Sequence, residues 1–501
     1  MSFSGLKTNS KAKPIEYYST NNYAERVHFP EALLNGMASN HGLYMLGRQD
    51  VPKLSKKKIK KMTDQTYAEI AFEVLQPYLQ WHISDDELGS LLRDAYDETI
   101  IPTPVQNVRE RLYIMWLTKG PTCSFKDYAA RFYARILNYF LRKRGLTRIV
   151  LVATSGDTGG AVADSLKGMS NAFVVVFYPQ GSISEGQRRQ MTTLHENIFA
   201  VAVNGDFDIC QELVKYLMGD KKCAYDISKD EDIFTSANSI SLGRQLSQTV
   251  YPFYGYSRMG ANGEPMISVI PTGNMGDLMG TVMAKDTGLP IEAIICGLNE
   301  NSAFEEFLRT GKYIVKPKVD CPSSAMIVPN PSGLARLFDW YGGHVYDRWD
   351  EESGLPVEKG IITRLPDLQS MGKDIVAYRI TNSWCYQAMK NAYRTDNLIL
   401  DPHGAVAWDA FERFRFNTTH HLALLYETAD PGKFPDNVEK AIGMRPSIPP
   451  QMQAQESLPE RIYTIDAPPD KDEEGNTTLS AAQIAQVKEL LASLFKPIFL
   501  T

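Results

Sequence analysis

Arg148–Met169, RIVLVATSGDTGGAVADSLKGM, is the stretch that sets the architecture. RIVLVA is nearly all apolar, as a strand buried on both faces requires. A loop of Gly, Ser and Thr follows, and then AVADSLKGM carries apolar residues at helical spacing. The unit recurs downstream. AFVVVFYP (172–179) is the next strand and SEGQRRQMTTLHE (184–196) the next helix, and NIFAVAV with FDICQELVKYLMGD repeats the pair. SANSISLGRQLSQTVYPFYGY (236–256) reads as a long helical stretch, after which MISVIP and PIEAIICGL supply strands. Glu300–Asn397 shows fewer clear strands. LDPHGAVAWDAFERF and HHLALLYETADPGKF then resume the alternation. This pattern predicts an α/β fold with a doubly wound, mostly parallel sheet, in which ligands sit beyond the carboxyl ends of the strands.

Outward from that core the pattern changes. Residues 1–100 carry the helical patterns TDQTYAEIAFEVLQPYL and SDDELGSLLRDAYD, the second with Ser84 and Glu87 at capping-box spacing. A small N-terminal helical domain is expected there. Residues 101–390 form the α/β core with a smaller α/β subdomain, and 391–465 return to the core. In 466–501 an acidic, turn-rich linker (DAPPDKDEEGNTT) precedes an amphipathic helix, TLSAAQIAQVKELLASLF, that docks back on the body.

Composition narrows the function classes. The 501 residues are 43% hydrophobic and 22% charged, ordinary for a globular protein of two or three domains. A net charge of −6 argues against a nucleic-acid partner. The basic run Lys53–Met62, KLSKKKIKKM, reads as a solvated linker face. Cys123, Cys210, Cys223, Cys296, Cys321 and Cys385 lack CxxC spacing and read as small buried residues in a reducing compartment, with no metal site. The polar N-terminus and the absence of long apolar runs point to a cytoplasmic chain with no membrane contact. A monomer or weak homo-oligomer is expected.

Three loops and one lysine carry the chemistry. In PTCSFKD (121–127), Lys126 precedes a helical pattern ended by Gly145. A helix N-terminus and apolar neighbours both disfavour its charged form, as Schiff-base chemistry needs, although a lysine snorkelling to water also fits. PTGNMGDLMG (271–280) follows a strand, and its glycines permit tight turning and close approach to a phosphate, or simply a turn. It is neither a P-loop nor a GxGxxG fingerprint. ATSGDTGG (153–160) offers Thr154, Ser155 and Thr158 hydroxyls and backbone amides, while Asp157 suits a helix cap. Thr428 closes the strand LALLY, its hydroxyl either toward a ligand or bonded to a carbonyl. Pyridoxal phosphate needs a Schiff-base lysine, a phosphate cradle and a ring-nitrogen partner, which Lys126, Gly273–Asp277 and Thr428 supply in turn.

YYSTNNYA, HGLYM, IAFEVLQPYL, GPTCSFKD, ATSGDTGGA, QRRQMTTLHENI, SANSISLGRQLSQTVYPF, PTGNMGDLMG, LDPHGAV and ETADPGKFP resemble, in order, the threonine synthase family, bacterial and fungal branch. The resemblance implies a fold-type II pyridoxal-phosphate enzyme that converts O-phospho-L-homoserine and water to L-threonine and phosphate. It assigns Lys126 to the Schiff base, Gly273, Asn274, Met275, Gly276 and Asp277 to the cofactor phosphate, and Thr428 to the ring nitrogen. Thr154, Ser155, Gly156, Asp157 and Thr158 would take the substrate carboxylate, and Gln187, Arg189, Asn238 and Arg244 the substrate phosphate. Two departures bear on the substrate. TADP replaces TAHP at Thr428–Pro431, and SSAMIVPNPSG (323–333) replaces a stretch near SPAMDIQVPSN. The alternatives are a phospho-lyase releasing 2-oxobutyrate and a non-catalytic relative of the fold.

Overall fold

Two parallel sheets, read from a computed structural model that describes residues 13–350, 354–415, 421–471 and 477–500, form the core. The larger has six strands in the order Ile375–Arg379, Ile291–Leu298, Met266–Pro271, Leu422–Glu427, Leu112–Trp116, Val105–Arg109. All its neighbours run parallel except the last pair, a hairpin. The smaller has five parallel strands in the order Ile462–Ile465, Ile198–Val203, Ala172–Pro179, Arg148–Ala153, Phe234–Ser236. Arg148–Ala153, Ile198–Val203, Met266–Pro271 and Leu422–Glu427 are buried at every residue, which is why they read as unbroken apolar runs.

The helix Lys126–Arg144 joins the two halves. It buries Tyr128, Phe132, Tyr133, Ile136, Leu137, Phe140 and Leu141, and ends where Gly145 takes a left-handed φ of 64°. The N-terminal segment holds the two helices expected, Tyr67–Leu79 and Asp85–Ala95. Both have capping boxes, Thr66 with Glu69 and Ser84 with Glu87. It also contains a three-stranded antiparallel sheet of Tyr17–Ser19, Asn22–Val27 and Tyr44–Met45, whose strands are too short to leave a pattern. The basic run is a one-turn-and-a-half helix, Lys56–Lys61, that buries Ile59 and exposes most of its lysines.

Ser236–Tyr256 is not one helix. Ser236 ends a strand, and Leu242–Ser247 and Val250–Ser257 are separate short helices. The carbonyls of Ser239 and Ile240 are taken by the buried guanidinium of Arg336, at 2.6 and 2.5 Å, and so are withdrawn from helical pairing. Within 300–397 lie the hairpin His344–Trp349/Pro356–Arg364, the edge strand Ile375–Arg379 and the helix Asn382–Asp396. Around the acidic linker, Asp470–Lys471 pairs with Thr477–Thr478, and 472–476 lie outside the described residues.

The C-terminal helix Ala481–Phe499 packs on the smaller sheet, as its amphipathic pattern requires. Ile484, Val487, Leu491 and Phe495 enter the same apolar cluster as Ile149, Leu151 and Val201. Leu491 is fully enclosed. Leu491→Ala is expected to lower unfolding stability by about 2–5 kcal/mol, read as a fall in the urea midpoint, because the deleted atoms leave a cavity. A midpoint equal to the parent's removes the helix from the core.

Candidate active site

The site forms where the carboxyl ends of both sheets meet the start of the helix Lys126–Arg144. The turn before that helix wraps around its own second residue. The Asp127 carboxyl accepts from the Thr122 N–H (2.9 Å) and hydroxyl (2.6 Å), and burial pushes it up to about 7. The turn is stitched to the strand end at Thr428 by Phe125 N–H to Thr428 C=O (2.8 Å) and Asp430 N–H to Cys123 C=O (2.9 Å).

Lys126 is half-buried as a residue, but its ammonium lies deep among protein atoms, 4.1 Å from the Phe125 ring centre. Among the described residues it has no hydrogen bond or ion pair. Burial, and then the charge of Arg244, push its pKa down to about 8, against weaker support from Asp277 and Asp157. Arg244 is itself buried. One arm donates to Ala237 C=O at 3.0 Å, and its Nε has no partner among the described residues.

Two nests of backbone amides face this region. In the first, the N–H groups of Gly273, Asn274, Met275 and Gly276 donate to no protein acceptor among the described residues, and that of Asp277 meets its own carboxylate. They lead into the helix Gly276–Thr287, so four orphan donors stand at a positive helix end. The glycines there serve packing more than anion approach. A Cβ at Gly273 would stand 2.7 Å from Met326 Cα, and one at Gly276 would stand 2.7 Å from Gln248 Nε2. The left-handed residue is Met275, with φ 62°. The Asp277 carboxylate turns inward to Thr272 Oγ1 (2.6 Å) and its own helix. In the second nest, Thr154 Oγ1 accepts from Gly156 and Gly159 N–H (2.9 and 2.8 Å), leaving those of Ser155, Asp157 and Thr158 without acceptors among the described residues. Gly156 takes φ 130° and has no room for a Cβ, which would meet Gln187 at 2.4 Å.

The other candidates fall in different places. Thr428 is buried at the strand end, and its hydroxyl has no hydrogen bond among the described residues. Asp157 does not cap its helix, because Gly156 is the N-cap. Its carboxylate instead meets Lys433 Nζ at 2.8 Å and Gln187 Nε2 at 2.9 Å. Gln187 is thereby committed, its Oε1 also accepting from Ser184 N–H. Asn238 clamps both backbone groups of Ala153, at 2.8 and 2.6 Å. Arg189 turns to Glu185 (3.0 Å) and the Leu458–Glu460 segment. Of Gln187, Arg189, Asn238 and Arg244, the four candidates for the substrate phosphate, Arg244 alone acts on Lys126. A cleft of ≈330 Å³ opens beside Ser155, lined also by Ser182, Lys318, Cys321 and Ser324.

Both family departures find positions. Asp430 accepts from Gly432 N–H (3.0 Å) and faces Lys119 (3.1 Å), so its carboxylate caps the turn Pro431–Lys433. SSAMIVPNPSG backs the first nest, with Met326 against Gly273 and Ser332 bonded to Asn274 Oδ1 at 2.8 Å. Sequence reading missed Lys433, and also the buried cluster Asp401, His403 and Glu427. In that cluster His403 bonds Asp401 and accepts from Ala325 N–H at 3.1 Å, holding the segment that backs the nest.

The residues present fit pyridoxal phosphate, with an uncommitted lysine, a run of free backbone amides at a helix start and a hydroxyl at a strand end that has no hydrogen bond among the described residues. Comparison with known proteins agrees. Residues 16–96 match the family described as threonine synthase N terminus, 96–354 that described as pyridoxal-phosphate dependent enzyme, and 404–474 that described as threonine synthase, C-terminal. A threonine synthase of Pseudomonas aeruginosa is 30% identical over 87% of this chain and 92% of its own, and that of Saccharomyces cerevisiae is 31% identical over 85% and 89%. The crystal structure of a PLP-bound threonine synthase from Brucella melitensis superposes with a TM-score of 0.81 at 27% identity, covering 96% of this chain and all of that one.

An ordinary lysine loses its proton near pH 10.4. Because Lys126 is pushed down to about 8, its free amine is half-formed two pH units earlier. Uptake of pyridoxal phosphate by the apoprotein, followed by visible absorbance, is expected to quicken with pH and level off above about pH 8. A rate still climbing near pH 10 contradicts the environment described. The same shift means that charging Lys126 disfavours the folded apoprotein below about pH 8. That penalty fades between about pH 8 and pH 10.

Proposed function

From the premise that the chain belongs to the threonine synthase family of pyridoxal-phosphate-dependent enzymes, we propose that it converts O-phospho-L-homoserine and water to L-threonine and phosphate. The observation that carries this reading is Lys126, an uncommitted amine with a lowered pKa between two nests of free amides. Bound pyridoxal phosphate supplies the electron-withdrawing ring that stabilises negative charge on substrate carbon.

The chain's own residues supply the rest. The amides of Gly273–Asp277 hold the cofactor phosphate, and Lys126 carries the cofactor before substrate arrives. Once released, Lys126 Nζ accepts the proton from the substrate α-carbon and helps move the β-proton, which its lowered pKa suits near neutrality. The Thr428 hydroxyl partners the ring nitrogen without donating full charge. The amides of Ser155, Asp157 and Thr158 receive the substrate carboxylate. Arg244 is the residue we assign to anion attraction near the substrate phosphate, since Gln187, Asn238 and Arg189 are engaged elsewhere. After phosphate has left, water must add at the β-carbon before the product is released, because the free enamine hydrolyses to 2-oxobutyrate and ammonia. We place the chain in the cytoplasm as a monomer or weak homo-oligomer. In support, all six cysteines are free and buried, and no described helix is long and apolar enough to cross a membrane.

Incubation of the purified holoprotein with O-phospho-L-homoserine is expected to release threonine and phosphate in equal amounts. Phosphate with 2-oxobutyrate in place of threonine makes the chain a phospho-lyase. Lys126→Ala is expected to lose the visible band that borohydride bleaches in the parent, and a reducible band that persists refutes the assignment of Lys126. Thr428→Asp places an anion opposite the ring nitrogen and strengthens the electron sink. A larger share of 2-oxobutyrate is expected from it, and an unchanged product ratio removes Thr428 from the ring.

A further inference from the structure

We propose that Lys433 is a positioning residue that makes the Thr154–Thr158 loop fit to receive a carboxylate, by neutralising Asp157 and tying that loop to the turn that carries Lys126. The inference rests on the assignment of that loop to the substrate carboxylate.

The loop presents a contradiction by itself. Its free amides suit an anion, but Asp157, at its centre and 4% exposed, already carries a carboxylate. A second carboxylate brought beside an uncompensated first is repelled, most strongly where water is excluded. Lys433 resolves this. Its side chain is wholly enclosed, with Nζ 2.8 Å from Asp157 Oδ1 and 2.7 Å from Thr122 C=O. Although burial opposes ionisation, Lys433, and after it His403, hold Asp157 below the usual carboxylate range. The loop is therefore neutral overall before substrate arrives, and its amides decide the sign of what binds.

The same ammonium fixes distances. Thr122 belongs to the turn that ends at Lys126, Asp157 to the carboxylate loop, and Lys433 follows Thr428 by five residues. Gln190 donates to the same Thr122 carbonyl at 3.0 Å, and Gln187 to the same Asp157 oxygen. One buried cation thus locks three chemistry-bearing loops, two from the larger half and one from the smaller.

Lys433→Met, Asp157→Asn and the double variant test this in the holoprotein, with O-phospho-L-homoserine and its carboxamide, which lacks the anion. Lys433→Met is expected to raise KM for the carboxylate substrate about a hundredfold, the scale of stripping one partner from a buried pair. The carboxamide should lose far less, and the double variant should recover most of the loss. Equal losses for both substrates, or a double variant no better than Lys433→Met, overturn the proposal and leave a structural staple. Thermal unfolding of the apoproteins provides a readout independent of turnover, in which the double variant is expected to melt above Lys433→Met. Should Lys433→Met not fold, Asp157→Asn carries the test. It leaves Lys433 charged and should bind the carboxylate substrate at least as tightly as the double variant does, and weaker binding refutes the neutralising role. A parent that releases no phosphate removes the carboxylate assignment, and this proposal with it. Against an active parent, only the variants can fail.

Discussion

Keeping an ammonium at the positive end of a helix, out of water and without a counter-ion, is the constraint to which the site answers. Burial and then Arg244 oppose the charged form of Lys126, and against them stand only the Phe125 ring and the charges of Asp277 and Asp157. Such a group survives only where its surroundings are fixed independently. The Asp127 carboxyl holds the turn beneath it, and two backbone bonds, Phe125 N–H to Thr428 C=O and Asp430 N–H to Cys123 C=O, hold the turn from the side. The lysine's reactivity is thus a property of the packing around it.

Charge is arranged on the same plan throughout the cleft. Free backbone amides stand at two helix starts, where they cannot be protonated and need little reorganisation to meet an anion. Several ionisable side chains there are paired. Asp157 has Lys433, Asp430 has Lys119, and Asp401 has His403. Lys126 and Arg244 have no carboxylate partner among the described residues.

The alternation of strand and helix is legible in the chain because strands buried on both faces cannot hide their apolar runs. Lys126, the Gly273–Asp277 turn and Thr428 are legible because each lies at the junction of a local pattern. Ile375–Arg379 and Ile462–Ile465 are not, since edge strands mix polar and apolar residues. Lys433 looks like any lysine after a turn, and its burial depends on an aspartate far upstream that no local window contains. Arg189 is the converse. Its residue type suits a phosphate, but its direction is set by Glu185 and Glu460.

Strand order also dictates when each half of the molecule can exist during synthesis. Leu422–Glu427 lies between Met266–Pro271 and Leu112–Trp116, so the middle of the larger sheet is among its last strands to be made. The smaller sheet waits longer still, for Ile462–Ile465 at its edge and for Ala481–Phe499 over its face. Until then Ile198–Val203 presents an unpaired, wholly apolar edge, and Met266–Pro271 lacks a neighbour. Pairings between such distant parts of the chain slow folding and leave apolar strand edges open to wrong partners until the later strands are made.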